Sequence, residues 1–181
     1  QGTFFILVAH QPARLLPTIR SRCRLLRFVG LPDAEVARLL AEAAPEADAE
    51  TRSAAVAAAA GSPGAALAFV EQGLGKVDAP MRAILSQGDP LFALRGRLAA
   101  EIGARPARER IQAILELARV IVSAEAAAAG RDRIPVLFKA HDELVALAGQ
   151  APLYNFDPGL LAMEIGTLLA SATPASERAH G

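Results

Sequence analysis

The sequence predicts a mostly α-helical protein, with one or two short strands confined to its first thirty residues. Alanine- and leucine-rich segments with apolar residues at helical spacing make up most of the 181 residues. Prolines and glycines punctuate these segments at intervals typical of helix ends. Near the start, Phe4 to Val8 is apolar on both faces, which is typical of a central parallel strand.

Composition excludes several functional classes. The chain has 19 basic and 19 acidic residues, so a zero net charge gives no general attraction to phosphates, and we expect any role with DNA to be indirect. No apolar run approaches the roughly 20 residues that span a bilayer, which argues against a membrane protein. A single cysteine forms no internal disulfide, so a reducing cytoplasm is expected.

The N-terminal segment combines extended and turn signals. The predicted strand at Phe4 to Val8 needs neighbours that we expect to lie in a preceding part of a larger protein, since the first residues resemble no signal peptide. A short helical stretch is predicted around Ala13 to Leu16, followed by a turn at Pro17. The segment Arg24 to Phe28 predicts a short strand or an extended linker that stops near Gly30.

The remainder predicts three short helices and then five longer ones. Asp33 is the expected N-cap of the first helix, and the second is expected from Ala49 to Ala60. Ser62 is the expected N-cap of the third, with Pro63 in its first turn. The longer helices are predicted at Pro80–Gln87, Pro90–Ile102, Pro106–Ala129, Ile134–Ala148 and Pro158–Ser171, before a flexible polar tail over 173–181.

Four positions are candidates for a chemical site. His10 follows a strand, where open parallel sheets face their ligands, although it could simply end the strand. Arg22, in a turn, could direct a guanidinium at a phosphate across an interface, or it could be a solvated arginine. Cys23 lies in apolar surroundings and is better suited to packing than to nucleophilic chemistry. The neighbours of His141 on its helix point to different faces, which favours a surface histidine over a metal ligand.

The segment "FFILVAHQPARLLPTIRSRCRLLRF" resembles the end of the AAA+ module of bacterial DNA polymerase III clamp-loader subunits. The match lies in the order of a strand, a polar position, a proline-marked turn and the Ser21-Arg22-Cys23 motif. The resemblance implies four regions: a remnant of an AAA+ α/β core over 1–30, a three-helix lid over 31–76, a helical collar for oligomerisation over 77–172, and a flexible tail over 173–181.

Two positions differ from the pattern of an ATP-hydrolysing clamp-loader subunit. The lid of the motor subunit, called gamma or tau, carries a sensor-2 arginine where this chain has Gly64, and a small hydroxyl residue at sensor 1 where this chain has His10. The resemblance therefore implies a non-hydrolysing subunit. It assigns Arg22 as an arginine finger that serves a neighbour's ATP site. Ser21 and Cys23 are the supporting residues: the hydroxyl is expected to satisfy backbone groups of the turn, and the thiol is expected to pack against the preceding strand.

The resemblance also implies partners and location. Expected partners are the gamma or tau and delta subunits, with the sliding clamp and primed DNA reached through the complex and no membrane involved. No cofactor or metal is expected in this chain, because neighbouring subunits bind ATP and the family's zinc element would lie upstream. We expect no activity from the chain alone, which would belong to a cytoplasmic polymerase (nucleotidyltransferase) holoenzyme at the bacterial replisome. An ATP-hydrolysing subunit and a generic helical interaction module remain alternatives.

Overall fold

A computed structural model describes residues 4–9, 15–151 and 156–174. Within these ranges the chain forms helices and no strand, and none of these helices is long and apolar enough to cross a bilayer. The helices are α1 (Pro17–Arg20), α2 (Asp33–Ala43), α3 (Ala49–Ala58), α4 (Pro63–Glu71), α5 (Gly75–Gln87), α6 (Ala93–Ile102), α7 (Arg108–Ala128), α8 (Ile134–Gln150) and α9 (Pro158–Ser171). The prediction of a mostly helical fold is confirmed.

Helices α2 to α9 form one helical body with a continuous apolar core. The first three of them, α2 to α4, pack on one another, and α3 also contacts α5 and α7. In the rest of the body α7 packs on α8, and α9 contacts α5, α6 and α8. The boundary expected between 76 and 77 falls in the first turn of α5. The largest side chains that are completely buried include Phe69, Met81, Leu98, Ile114, Leu144 and Ile165.

Local signals place several helix ends correctly. Helix α9 begins at Pro158 and ends at Ser171, as predicted. Ser62 is the N-cap of α4, and Pro63 is its first residue.

The N-cap of α2 differs from the prediction. Asp33 was expected to be the N-cap, but Pro32 occupies that position and Asp33 is the first helical residue, where its carboxylate lies near the positive end of the helix dipole.

Helices α5 and α6 begin at different residues from those predicted, because tertiary contacts decide their starts. Helix α5 begins at Gly75, five residues before Pro80, since burial of Val77 stabilises the added turn. Helix α6 begins at Ala93 rather than at Pro90, after Phe92 with φ 59°. Here the carboxylate of Asp89 accepts hydrogen bonds from backbone N–H groups inside the helix.

The strand predicted at Phe4 to Val8 does not form, and of the two alternatives predicted for Arg24 to Phe28, a short strand or an extended linker, the strand does not form in the described residues. Phe4 to Val8 and Arg24 to Phe28 lie outside any strand and are exposed. A strand is stable only when a neighbouring strand takes up its backbone hydrogen bonds, and the described residues supply none. The predicted helical stretch at Ala13 to Leu16 lies partly outside the described residues, and Pro17 begins α1 instead of a turn.

The end of α9 is fastened to the helical body. The hydroxyl of Thr173, which was predicted to begin the flexible tail, donates to the carbonyl oxygen of Ile84 over 3.0 Å. Arg133 donates to the carbonyl oxygen of Ala172 and pairs with Glu125 on α7. A cation at a helix C-terminus is favourable, so these contacts stabilise the last turn. Residues 175–181 of the predicted tail lie outside the described residues.

We expect Ser62→Ala to lower the free energy of unfolding by about 1 kcal/mol. The Ser62 hydroxyl oxygen accepts the backbone N–H of Ala65 over 3.2 Å, and alanine leaves that donor without its partner. Urea unfolding followed by circular dichroism measures the change. Ser53→Ala, at an exposed position inside α3, is the matched control. Equal effects of the two substitutions would contradict the capping role.

Asp48 caps α3 and should make its stability depend on acidity. Hydrogen bonds from the backbone N–H and then the hydroxyl of Thr51 hold the pKa of Asp48 below its ordinary value. This contribution is therefore complete above the ordinary value of about 4 and is lost as the pH falls through the lowered pKa. Asp48→Asn retains an acceptor at every pH. We expect the wild type to lose stability relative to this variant between about pH 5 and pH 2 in urea unfolding. A difference that does not change with pH would contradict this assignment.

Candidate functional site

The candidate site is the arginine segment, residues 15–30, which precedes the helical body. Leu16 is extended, and Pro17 starts α1 because its fixed φ suits the first position of a helix. The helix ends after four residues at Ser21, whose backbone N–H donates to the carbonyl oxygen of Pro17 over 2.9 Å. The Ser21 hydroxyl donates to the carbonyl oxygen of Thr18 over 3.3 Å, so it satisfies a backbone group of the turn.

Arg22 lies directly beyond this helix end. Its backbone N–H donates to the carbonyl oxygen of Ile19 over 3.1 Å, which fixes the start of its side chain in a turn. Its guanidinium is exposed and forms no hydrogen bond or ion pair with any described residue. A guanidinium with no partner in its own chain retains all five N–H donors for an external acceptor.

Cys23 does not pack as predicted. Its backbone N–H donates to the carbonyl oxygen of Arg20 over 3.4 Å, but the residue is exposed. The prediction placed the thiol against the preceding strand, and no strand forms there in the described residues. Cys23 therefore contributes to the turn through its backbone alone.

The arginine segment is positively charged, although the chain as a whole is neutral. Residues 1–32 contain five arginines and no acidic residue. Because the whole chain has 19 basic and 19 acidic residues, the remainder carries 14 basic and 19 acidic ones, a net charge of −5. Exposed apolar side chains accompany the arginines, namely Leu16, Leu25, Leu26, Phe28 and Val29.

Five arginines of the helical body differ from those of the arginine segment, because acidic side chains of the body pair with them. Arg38 pairs with Glu35 and Glu42, and the two carboxylates raise the pKa of this guanidinium, Glu35 more than Glu42. Further pairs are Arg82–Asp78, Arg95–Asp89, Arg119–Glu116 and Arg133–Glu125. Within the described residues 20, 22, 24 and 27, no arginine has such a partner.

The two positions predicted to be degenerate sensors differ in what can be described. His10 lies outside the described residues. Gly64 is the second residue of α4, and an added Cβ there would meet no atom within 4 Å. A larger side chain would therefore fit at Gly64, so packing does not require the glycine. The arginine segment and Gly64 belong to separate parts of the chain, and no hydrogen bond joins them among the described residues.

Outside the arginine segment, possible clusters of metal-ligating side chains and a cavity bear on a second site. No three His, Cys, Asp or Glu side chains in residues 4–9, 15–151 and 156–174 come together as a metal site. A shallow cavity between α5 and α7 is lined by Leu85, Ile121 and the charged groups of Arg82 and Glu125. Both charged groups already have partners on the protein.

Sequence reasoning missed the buried pair of Asp89 and Arg95 and the close approach of Gly30 to Gly61. The pair is 7% exposed at both residues and carries no sequence signal, because scattered charges on helices are usually solvated. The glycines were predicted only as breaks between elements, and nothing in the sequence links two positions so far apart.

Comparisons with protein-family models, with curated proteins and with solved structures find no match for this chain.

Proposed function

We propose that this chain belongs to a delta prime-type subunit of the bacterial DNA polymerase III clamp loader. In this proposal the subunit hydrolyses no ATP and supplies Arg22 to the ATP site of a neighbouring subunit. The observation that carries the proposal is the exposed and unpaired guanidinium of Arg22, held at the end of a four-residue helix within the Ser21-Arg22-Cys23 motif. The absence of acidic residues before Asp33 supports it, because no nearby carboxylate competes for the guanidinium.

The chemistry follows from the shape and charge of arginine. A phosphoryl group in transfer spreads negative charge over its equatorial oxygens. The planar guanidinium can donate two parallel hydrogen bonds to such oxygens and remains protonated at every physiological pH. The backbone hydrogen bonds of Ser21 and Arg22 fix the position of the Arg22 Cα. Less conformational entropy is therefore lost when the side chain contacts the neighbour's nucleotide.

In this proposal the helical body joins the corresponding helices of gamma or tau and delta in a collar. The wide apolar faces that build its core are compatible with that role. Gly64 supports the non-hydrolysing assignment, because glycine has no side chain with which to contact a nucleotide bound by its own subunit. The ATP-hydrolysing alternative requires the longer subunit to bind ATP tightly by itself, which equilibrium binding of a fluorescent ATP analogue to the isolated full-length subunit measures.

Reconstitution of the complete clamp loader with Arg22→Ala tests the proposal. The subunits are mixed, the assembled complex is isolated by gel filtration, and DNA-stimulated ATP hydrolysis is measured. Intact assembly with lost hydrolysis supports the finger role. Unchanged hydrolysis in an intact complex refutes it and favours the generic interaction module. Loss of assembly reduces Arg22 to an interface residue and also refutes the finger role.

A further inference from the structure

The backbone of residue 30 crosses the turn between α3 and α4 at very short range. The backbone N–H of Leu31 donates to the carbonyl oxygen of Gly61 over 2.8 Å. The turn continues into α4, since the N–H of Ser62 donates to Ala59 and the Ser62 hydroxyl caps the helix. We call the contact of Gly30 and Gly61 the glycine crossing.

Space excludes a side chain at Gly61 and leaves little room for one at Gly30. A Cβ on Gly61 would lie 2.8 Å from the carbonyl oxygen of Leu31 and 2.9 Å from the Cα of Gly30, distances that real Cβ atoms do not show. Gly61 also has φ +79°, in the region that side chains disfavour. A Cβ on Gly30 would lie 3.0 Å from the carbonyl oxygen of Ala60. The neighbouring atoms are backbone, so they cannot rotate away as a side chain would.

The crossing is the attachment point of the arginine segment. Among the described residues, the bond from Leu31 to Gly61 is the one backbone or side-chain hydrogen bond between residues 4–31 and the helical body. None of the core residues precedes Val36. The direction in which the segment leaves the body is therefore set at the crossing and by the proline that follows it.

Small changes at this point are amplified at Arg22. Arg22 lies eight positions before Gly30, and an extended chain advances up to about 3.5 Å per position. When the segment is held against a neighbour, a rotation of about 10° at the crossing moves the guanidinium by several ångströms. A displacement of about 1 Å at a reacting group can lower a rate about 10²-fold.

We infer that Gly30 and Gly61 are positioning residues for Arg22, because their close contact fixes the angle between the arginine segment and the helical body. The inference rests on the proposed function for its catalytic consequence. Its geometric part concerns this chain alone and is measurable without a partner. Glycine at position 61, and close packing at position 30, then set the direction of the segment as well as the local turn.

A distance measurement in the 181-residue chain tests the geometry. Cys23 is the sole cysteine of the sequence and is exposed, so a spin label can be attached there. Ser123→Cys on α7 provides a second exposed site. Pulsed electron–electron double resonance measures the distribution of distances between the two labels, and we expect Gly61→Ala to shift or broaden it. The control Gly64→Ala should leave the distribution unchanged, because a Cβ at Gly64 meets nothing within 4 Å. Identical distributions for all three proteins would overturn the inference.

A double-mutant comparison in the assembled clamp loader tests the catalytic consequence. We expect Gly61→Ala to lower hydrolysis about 10²-fold when Arg22 is present and to have no further effect in the Arg22→Ala background. Equal losses in both backgrounds would show that Gly61 acts by another route and would overturn the inference. If Arg22→Ala itself changes nothing, the proposed function fails while the distance measurement still decides the geometry. Should Gly61→Ala lose its helical circular dichroism, Gly30→Ala, at a position without positive φ, takes its place in both experiments.

Discussion

Arg22→Ala should lower the rate of ATP hydrolysis at the neighbouring site by about 10³- to 10⁵-fold, the range that trans-acting arginines supply in phosphoryl transfer. On the proposed function the effect is this large because the Arg22 guanidinium forms no hydrogen bond or ion pair with any described residue and can donate to the transferring group. In a complex with several ATP sites, the total rate of hydrolysis falls only by the contribution of the affected site. Single-turnover measurement of that site, with the other ATPase subunits carrying inactive P-loops, isolates the effect.

Arg22→Lys distinguishes charge from geometry. Lysine retains the positive charge but donates from one point and cannot form two parallel hydrogen bonds, so we expect it to recover little of the lost rate. Arg24→Ala is the matched control, because Arg24 is also exposed and has no ion pair with any described residue, but lies outside the turn that holds Arg22. Full activity of Arg22→Lys would show that a general positive field suffices. Equal losses for Arg22→Ala and Arg24→Ala would show that the segment acts only through its total charge.

Asp89→Ala is expected to cost about 3–5 kcal/mol of unfolding free energy, because it leaves a buried charge without its partner. Asp89 and Arg95 are each 7% exposed, and the Arg95 Nε lies 3.9 Å from the Asp89 Oδ2. The Asp89 carboxylate also accepts the backbone N–H groups of Leu94 over 3.0 Å and of Arg95 over 2.8 Å. Alanine removes the charge partner and the cap of α6 together.

Urea unfolding followed by circular dichroism measures this loss. Asp78→Ala is the matched control, since Asp78 forms a pair with Arg82 that is more exposed than the Asp89–Arg95 pair, and such a pair contributes at most about 1 kcal/mol. The double substitution Asp89→Ala with Arg95→Met should recover part of the stability, because it removes the stranded cation. Equal losses from Asp89→Ala and Asp78→Ala would contradict the assignment of a buried pair.

Sequence reasoning succeeded where structure is set within a few residues. The bounds of α9 and the Ser62 cap of α4 depend on a proline, a serine and the spacing of apolar residues, all of which are visible locally. It failed where burial decides. Val77 is fully buried, and α5 begins before Pro80 to include it. The Asp89 carboxylate accepts the N–H groups of Leu94 and Arg95, and α6 begins only at Ala93.

The candidate site divides in the same way. A proline and a short helix fix the turn at Ser21 locally, and Arg22 is exposed directly after that turn. The expectation that Cys23 packs depended on a strand, and a strand depends on neighbours distant in sequence. The glycine crossing was invisible for the same reason, since it joins positions 31 residues apart.

Helix α9 has a consequence for the order in which the protein can fold during synthesis. It is the last helix in the described residues, and it contacts α5, α6 and α8 through buried Leu161, Ile165 and Leu169. Until the ribosome has released α9, these three helices keep apolar faces without cover. The core is therefore complete only after α9 has been synthesised. Before that, the partly folded chain exposes apolar surface to which chaperones can bind and through which chains can aggregate.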